Sequence, residues 1–193
     1  MTALANGPTP PTAAPAAQPR RYVQSEYATA TVLLPFVGGG GPEAAAFDAF
    51  GLAVELCALI RAHAQQRREH LAWDSTVARI AERRAADMRL RQYIAHVDPD
   101  GAGPNWHLRY GGVRLPDYYD KSDAGNNVES IRLGPPNAAD AMAALIASPA
   151  HADHVLGRGF FGGQTHIGVA VVPDWNVPFV QAIFVVLICH VED

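Results

Sequence analysis

An N-terminal arm followed by one α+β domain is the organisation this sequence predicts, and three features predict it. Two stretches in the first half repeat apolar residues at three- and four-residue spacing, the period of an amphipathic helix. The chain closes on two apolar, β-branched runs, His166 to Val172 and Phe179 to His190, joined by Pro173-Asp174-Trp175-Asn176 as a hairpin connection. Between these regions the short run Asn127 to Arg132 reads as a strand, set between a turn signal and the Pro135-Pro136 break. With 193 residues the chain is long enough for one well-packed domain with a sizeable core and too short for two once the N-terminal segment is set aside.

Taken in order, Thr2 to Pro19 consists of Ala, Pro and Thr with almost no large apolar side chains, too little buried surface to offset the entropy of ordering. Tyr22 to Val37 is aromatic and β-branched, a strand able to dock on a neighbour, and Gly38 to Gly41 forms a hinge before Pro42. Residues 1–41 are therefore set apart from a domain over 42–193. The first helix runs from Pro42 to about Gln66, with Phe47, Phe50, Val54, Cys57, Leu59 and Ile60 on its apolar face. Asp74-Ser75 caps a second helix that ends near Ile94. It carries Val77, Ile80, Ala81, Ala85 and Met88 inward and Arg79, Glu82, Arg83 and Asp87 outward. Asp98-Pro99-Asp100-Gly101 is a turn, and Ala102 to Ala124 reads as a long irregular loop around Trp106, Tyr110, Tyr118 and Tyr119. A small Ala-rich helix follows Asn137 to about Ala147, and Ser148-Pro149 restarts the chain as a short turn or helix bearing His151 and His154.

Composition excludes several function classes. A net charge of -4 with dispersed basic residues offers no electrostatic case for nucleic acid, and the pairs Arg20-Arg21, Arg67-Arg68 and Arg83-Arg84 read as solvated positions. No apolar segment approaches the roughly 20 residues of a membrane span, so no transmembrane segment is expected. Met1 to Gly7 lacks the basic and apolar regions of a standard secretory signal. Cys57 and Cys189 lie in apolar runs and read as buried thiols, with a single helix-to-strand disulfide as the alternative. No Ser, Cys or Lys stands in a nucleophile motif, and neither Gly157-Arg158-Gly159 nor the tetraglycine has the strand-to-helix setting of a phosphate loop.

The residue that stands out is Glu129. Flanked by Val128 and Ile131 in a strand-like run, it is expected to lose water, and a desolvated carboxylate needs a cation, a histidine or a proton. His96 and His151 stand in contexts that could supply the partner. His154, His166 and His190 compete for that role, with His154 read as solvated.

The fragments Leu71-Ala72-Trp73-Asp74 with Ala78, Ala81, Ala85 and Asp87-Met88, then His96 with Asp98-Pro99-Asp100-Gly101, Glu129-Ser130-Ile131, Ser148-Pro149-Ala150-His151 and Ile167-Gly168-Val169, occur in an order that resembles the bacterial branch of the CAP superfamily. This group, also called the SCP domain, includes cysteine-rich secretory and pathogenesis-related proteins. The resemblance spans about Val54 to the C-terminus. It implies a three-layer α-β-α sandwich with a central, mainly antiparallel sheet, an extracellular location, and a cleft lined by two histidines and acidic residues.

On that likeness, His96 matches the first cleft histidine, His151 the second, and Glu129 the glutamate of a Glu-Asn-Ile motif in which Ser130 replaces Asn. Together they form an expected ligand set for zinc or another divalent metal, two imidazoles and one carboxylate. The chain departs from the family in lacking a further glutamate on the helix before His151, and in lacking its disulfides. A histidine bonded to a buried glutamate can equally tie a loop to the sheet. Two functions follow as expectations, neither of them clearly enzymatic. One is a binding module whose cleft takes a metal and a lipid-like or glycan ligand. The other is a structural subunit that uses residues 1–41 to join a protein partner or a second copy of itself.

Overall fold

The computed structural model describes residues 47–174 and 181–192. The arm, the Tyr22 to Val37 strand, the glycine hinge, the start at Pro42 and most of the hairpin connection lie outside these residues. Those described belong to the unit Ala45–Asp193.

Helix α1, Ala49–Ala62, begins where the Asp48 carboxylate accepts the Gly51 N–H at 2.7 Å. It ends four residues before Gln66, because His63 turns extended. Its buried stripe is Ala53, Leu56, Cys57 and Ile60, whereas Phe50 (71% exposed) and Val54 (45%), expected inside, lie on the outer face. After the two-residue strand β1, Ala72–Trp73, Asp74 caps α2, Ser75–Arg91, by accepting the Thr76 and Val77 N–H groups at 2.7 and 2.9 Å. Gln92, at φ 55°, stops α2 short of Ile94 in a left-handed C-terminal turn.

The region expected to be irregular contains a short helix, α3, Pro104–Tyr110, opened by proline at its first position. Beyond α3, Val113, Leu115 and Tyr119 are core residues, so this stretch is packed. Strand β2 is Glu129–Gly134, followed by α4, Ala138–Ala147, capped by Asn137, and α5, Pro149–Leu156. A 3-10 turn, Gly159–Gly163, leads into β3, His166–Asp174, and then β4, Gln181–Cys189.

The sheet order is β1-β3-β4-β2. β3 pairs with β4, and β4 with β2, antiparallel; the β1–β3 pair, not anticipated, is parallel. Because successive strand residues point to opposite faces, the sheet divides two cores. Ile167, Val169, Val171, Phe184, Val186 and Ile188 pack with α1, α4 and α5. Ala170, Ile183, Val185, Leu187 and Cys189 pack with α2 and α3. This is the expected α-β-α sandwich. It also separates the two cysteines: Cys57 belongs to the first core and Cys189 to the second, and both thiols are free. Burial raises both, Cys189 to about 12, so they stay protonated.

Gly168 marks where α2 meets the sheet. A Cβ there would run into the backbone of Val77 and Ala78, so only glycine lets the first turn of α2 lie directly on β3. That close approach helps set the depth at which α2 side chains meet β2.

Candidate functional site

Asn126 starts the site. Its side-chain oxygen accepts the Val128 and Glu129 N–H groups at 3.1 and 2.9 Å, an Asx turn that feeds the chain into β2. Glu129, the first residue of β2, pairs with Leu187 and points with Ile131 toward α2, with a fully buried carboxylate. The residue that meets it is Arg84 of α2. Its Nε donates to Oε1 at 3.0 Å and its Nη2 to Oε2 at 3.1 Å, a two-pronged pair between side chains that are 1% and 0% exposed.

The same guanidinium holds the segment after α2. Nη2 donates to the Ala95 and His96 carbonyls at 3.1 and 2.8 Å, and Nη1 to the Tyr93 hydroxyl at 3.2 Å. Burial works to lower the Arg84 guanidinium, but Glu129, with Tyr93 and Asp98, more than reverses this, so it is held charged.

His96 Nδ1 lies 3.0 Å from Glu129 Oε2. Since a carboxylate paired with arginine only accepts, Nδ1 carries a proton, and Nε2 is the ring nitrogen that the carboxylate does not hold. The His96 side chain is 40% exposed, so one edge is anchored and the other is wet. His151 on α5 faces it, with ring centroids 6.4 Å apart and planes inclined at 67°. Burial, then the neighbouring His96, pushes His151 below the ordinary imidazole range, so it is neutral near pH 7. All three expected residues therefore fall in one neighbourhood.

Both Glu129 oxygens are committed to Arg84 and His96, and two imidazoles sharing a zinc with bonds near 2.1 Å would bring their centroids to about 5 Å. Among the described residues, no group of three His, Cys, Asp or Glu is arranged to hold a metal ion.

A second polar cluster braces the first. Asp98 accepts the Asp100 and Ala102 N–H groups at 2.9 and 2.8 Å and His107 Nε2 at 3.0 Å. Burial would raise the Asp98 carboxyl, and the Ala102 N–H with His107 outweighs it. Arg91 joins Asp87 to Asp100, and Tyr93 donates to Asp87 at 2.6 Å. The turn behind His96 is thus tied to α2 and α3.

On the opposite face of β2, Ser130 Oγ is 2.7 Å from His154 Nδ1. His154, expected to be solvated, is 3% exposed, and burial, then Arg68, lowers it to about 3. Arg68 was also expected in solvent. It is buried instead, donating to the His154, Val155 and Phe161 carbonyls at 2.6, 3.1 and 3.1 Å, which caps the end of α5. Of the pairs read as solvated, Arg67 and Arg83 fit and Arg68 and Arg84 do not.

Arg84 was the functional residue missed, although the signal was present. Positions 77, 80, 81, 84, 85 and 88 form one inward stripe, and Arg84 occupies it. A cavity of about 540 Å³ lies elsewhere, between the end of α1 and residues 66–72, and none of His96, Glu129 or His151 lines it.

A family model described as the cysteine-rich secretory protein family, CAP, matches residues 54–191. The chain belongs to the CAP family. Among solved structures, a SCP-domain-containing extracellular protein from Bacillus anthracis aligns with this CAP chain at 17% identity and a TM-score of 0.52. The match covers 77% of this chain and 45% of the Bacillus one, less than half its length. An outer surface protein of Borrelia burgdorferi aligns at 18% identity and a TM-score of 0.49, over 74% of this chain and 88% of that one. No curated protein matches the chain by sequence. The Bacillus likeness supports the fold of this CAP domain.

Proposed function

We propose that this CAP domain is an extracellular binding module in which His96 and His151 contact a hydroxyl-bearing ligand, glycan or lipid-like. The observation that carries the reading is the anchored imidazole of His96, fixed at Nδ1 by a buried carboxylate and part-exposed beside the neutral imidazole of His151. Such a pair accepts hydrogen bonds from hydroxyl groups and can hold a proton transiently. An exposed aromatic pair, Tyr118 (63%) and Phe160 (48%), supplies apolar surface on the side where α5 ends, in edge contact at 5.9 Å. The extracellular location is suggested by how the Bacillus relative is described. Among the described residues, no helix is long and apolar enough to cross a membrane.

The test is a titration of the full chain with soluble oligosaccharides and with monoacylglycerol micelles, read on the imidazole resonances. One of these ligands should shift His96 and His151, and binding should weaken about tenfold in His96→Ala, the loss of roughly one good hydrogen bond. Binding unchanged by both His96→Ala and His151→Ala, or no binding of either class, would sink the reading.

A further inference from the structure

We propose that in this chain Arg84 takes the place of a divalent cation, so the His96–Glu129–His151 neighbourhood is organised by a guanidinium and works without metal. A bound ion would do three things here: neutralise the buried carboxylate, orient the histidine through it, and fix the loop bearing that histidine. Arg84 does all three with one side chain. Its fork covers both Glu129 oxygens, and the oxygen shared with Nη2 also accepts His96 Nδ1–H. The same Nη2 also donates to the carbonyls of Ala95 and His96 themselves.

The arrangement is built into the fold. Arg84 sits on the inward stripe of α2, and α2 is held against β3 at Gly168, which keeps the guanidinium within reach of β2. A dication entering between His96 and His151 would meet a fixed positive charge on the far side of Glu129. The oxygen nearest His96, Oε2, already accepts from Arg84 Nη2 and His96 Nδ1. Arg84 is accordingly a positioning residue for His96. Its planar fork is what lysine cannot reproduce, because one ammonium cannot cover two carboxylate oxygens and two carbonyls.

The inference does not depend on which ligand the module takes, and its test uses none. Metal-depleted full-length chain is titrated with zinc in a calorimeter, and the nitrogen shifts of His96 are recorded without added metal. The expected result is no stoichiometric zinc uptake that His96→Ala or His151→Ala abolishes, and His96 as a single Nδ1–H tautomer. Zinc binding that survives both histidine substitutions lies elsewhere and supports the proposal. In Arg84→Met, His96 should become a mixture of tautomers that Arg84→Lys does not restore, and zinc affinity should rise about tenfold or more as the carboxylate is freed. One-to-one zinc binding by the unaltered chain that either histidine substitution removes would overturn the proposal. So would a folded Arg84→Met chain that gains no zinc affinity. If Arg84→Met does not fold, the zinc titration and the tautomer of the unaltered chain decide.

Discussion

Glu129 and Arg84 hold each other across the seam between β2 and α2, and most of the polar chemistry around the site follows from that contact. Each would be costly to bury alone; together they bring His96 into a defined orientation. His154 presents the opposite case on the other face of the same strand, a buried titratable group kept neutral. Its folded value of about 3 lies below the ordinary value near 6.5, so between these limits the unfolded chain binds more protons than the folded one. The stability this histidine contributes is complete above pH 6.5 and falls as pH drops toward 3. The same sign applies to His107 and His151, both lowered by burial. Urea unfolding should therefore lose a few kcal/mol between pH 7 and pH 4.5, and His154→Asn should flatten that slope. A pH-independent midpoint over this range would refute the assignment.

At the scale of elements, the register of α2 against the sheet decides whether those residues meet. Helix α2 carries its cap, its inward stripe and its stop in its own residues, Asp74, Val77 to Met88, and Gln92. What it cannot specify locally is how closely it approaches β3, and Gly168 sets that. Gly168→Ala forces a methyl group into the α2 backbone and should cost about 1–3 kcal/mol by denaturant unfolding. It should also disturb the His96 resonances, because Arg84 moves with α2. Gly163→Ala, where an added Cβ meets nothing within 4 Å, is the matched control and should be close to neutral. Equal effects from the two changes would remove Gly168 from the argument. The α3 helix was missed as an element for a related reason. Pro104 to Tyr110 is too short for its period to show, and its burial comes from contact with α2 and the strands.

For the whole molecule, one feature concerns the segment before the domain and the other the domain's interior. One is the Ala- and Pro-rich stretch with its β-branched continuation over residues 1–41; the other is the absence of any disulfide between Cys57 and Cys189. The first motivates the connector reading, a hypothesis that expects the full chain to self-associate and residues 42–193 to be monomeric by light scattering. A full chain that stays monomeric at high concentration ends that reading. The free thiols follow from the layered fold, since a sheet stands between the two sulfurs and a bridge would have to pass through it.

The sequence by itself determined the elements whose signals are local: the Asp74 cap, the stripe of α2, the Pro- and Asn-initiated α4 and α5, and the closing antiparallel pair. It also marked Glu129 as an acid in need of a partner, and the ordered fragments carried the family. Tertiary structure alone decided which partner. Arg84 and Arg83 are chemically identical neighbours, and Arg67 and Arg68 likewise, but in each pair one faces solvent and the other is buried against oxygens contributed by distant segments. Charge alone cannot say which is which, because the cost of burying a guanidinium is offset only by acceptors that folding brings to it. The helical period placed Arg84 on the inward side; only the approach of β2 and the His96 segment made that position stable.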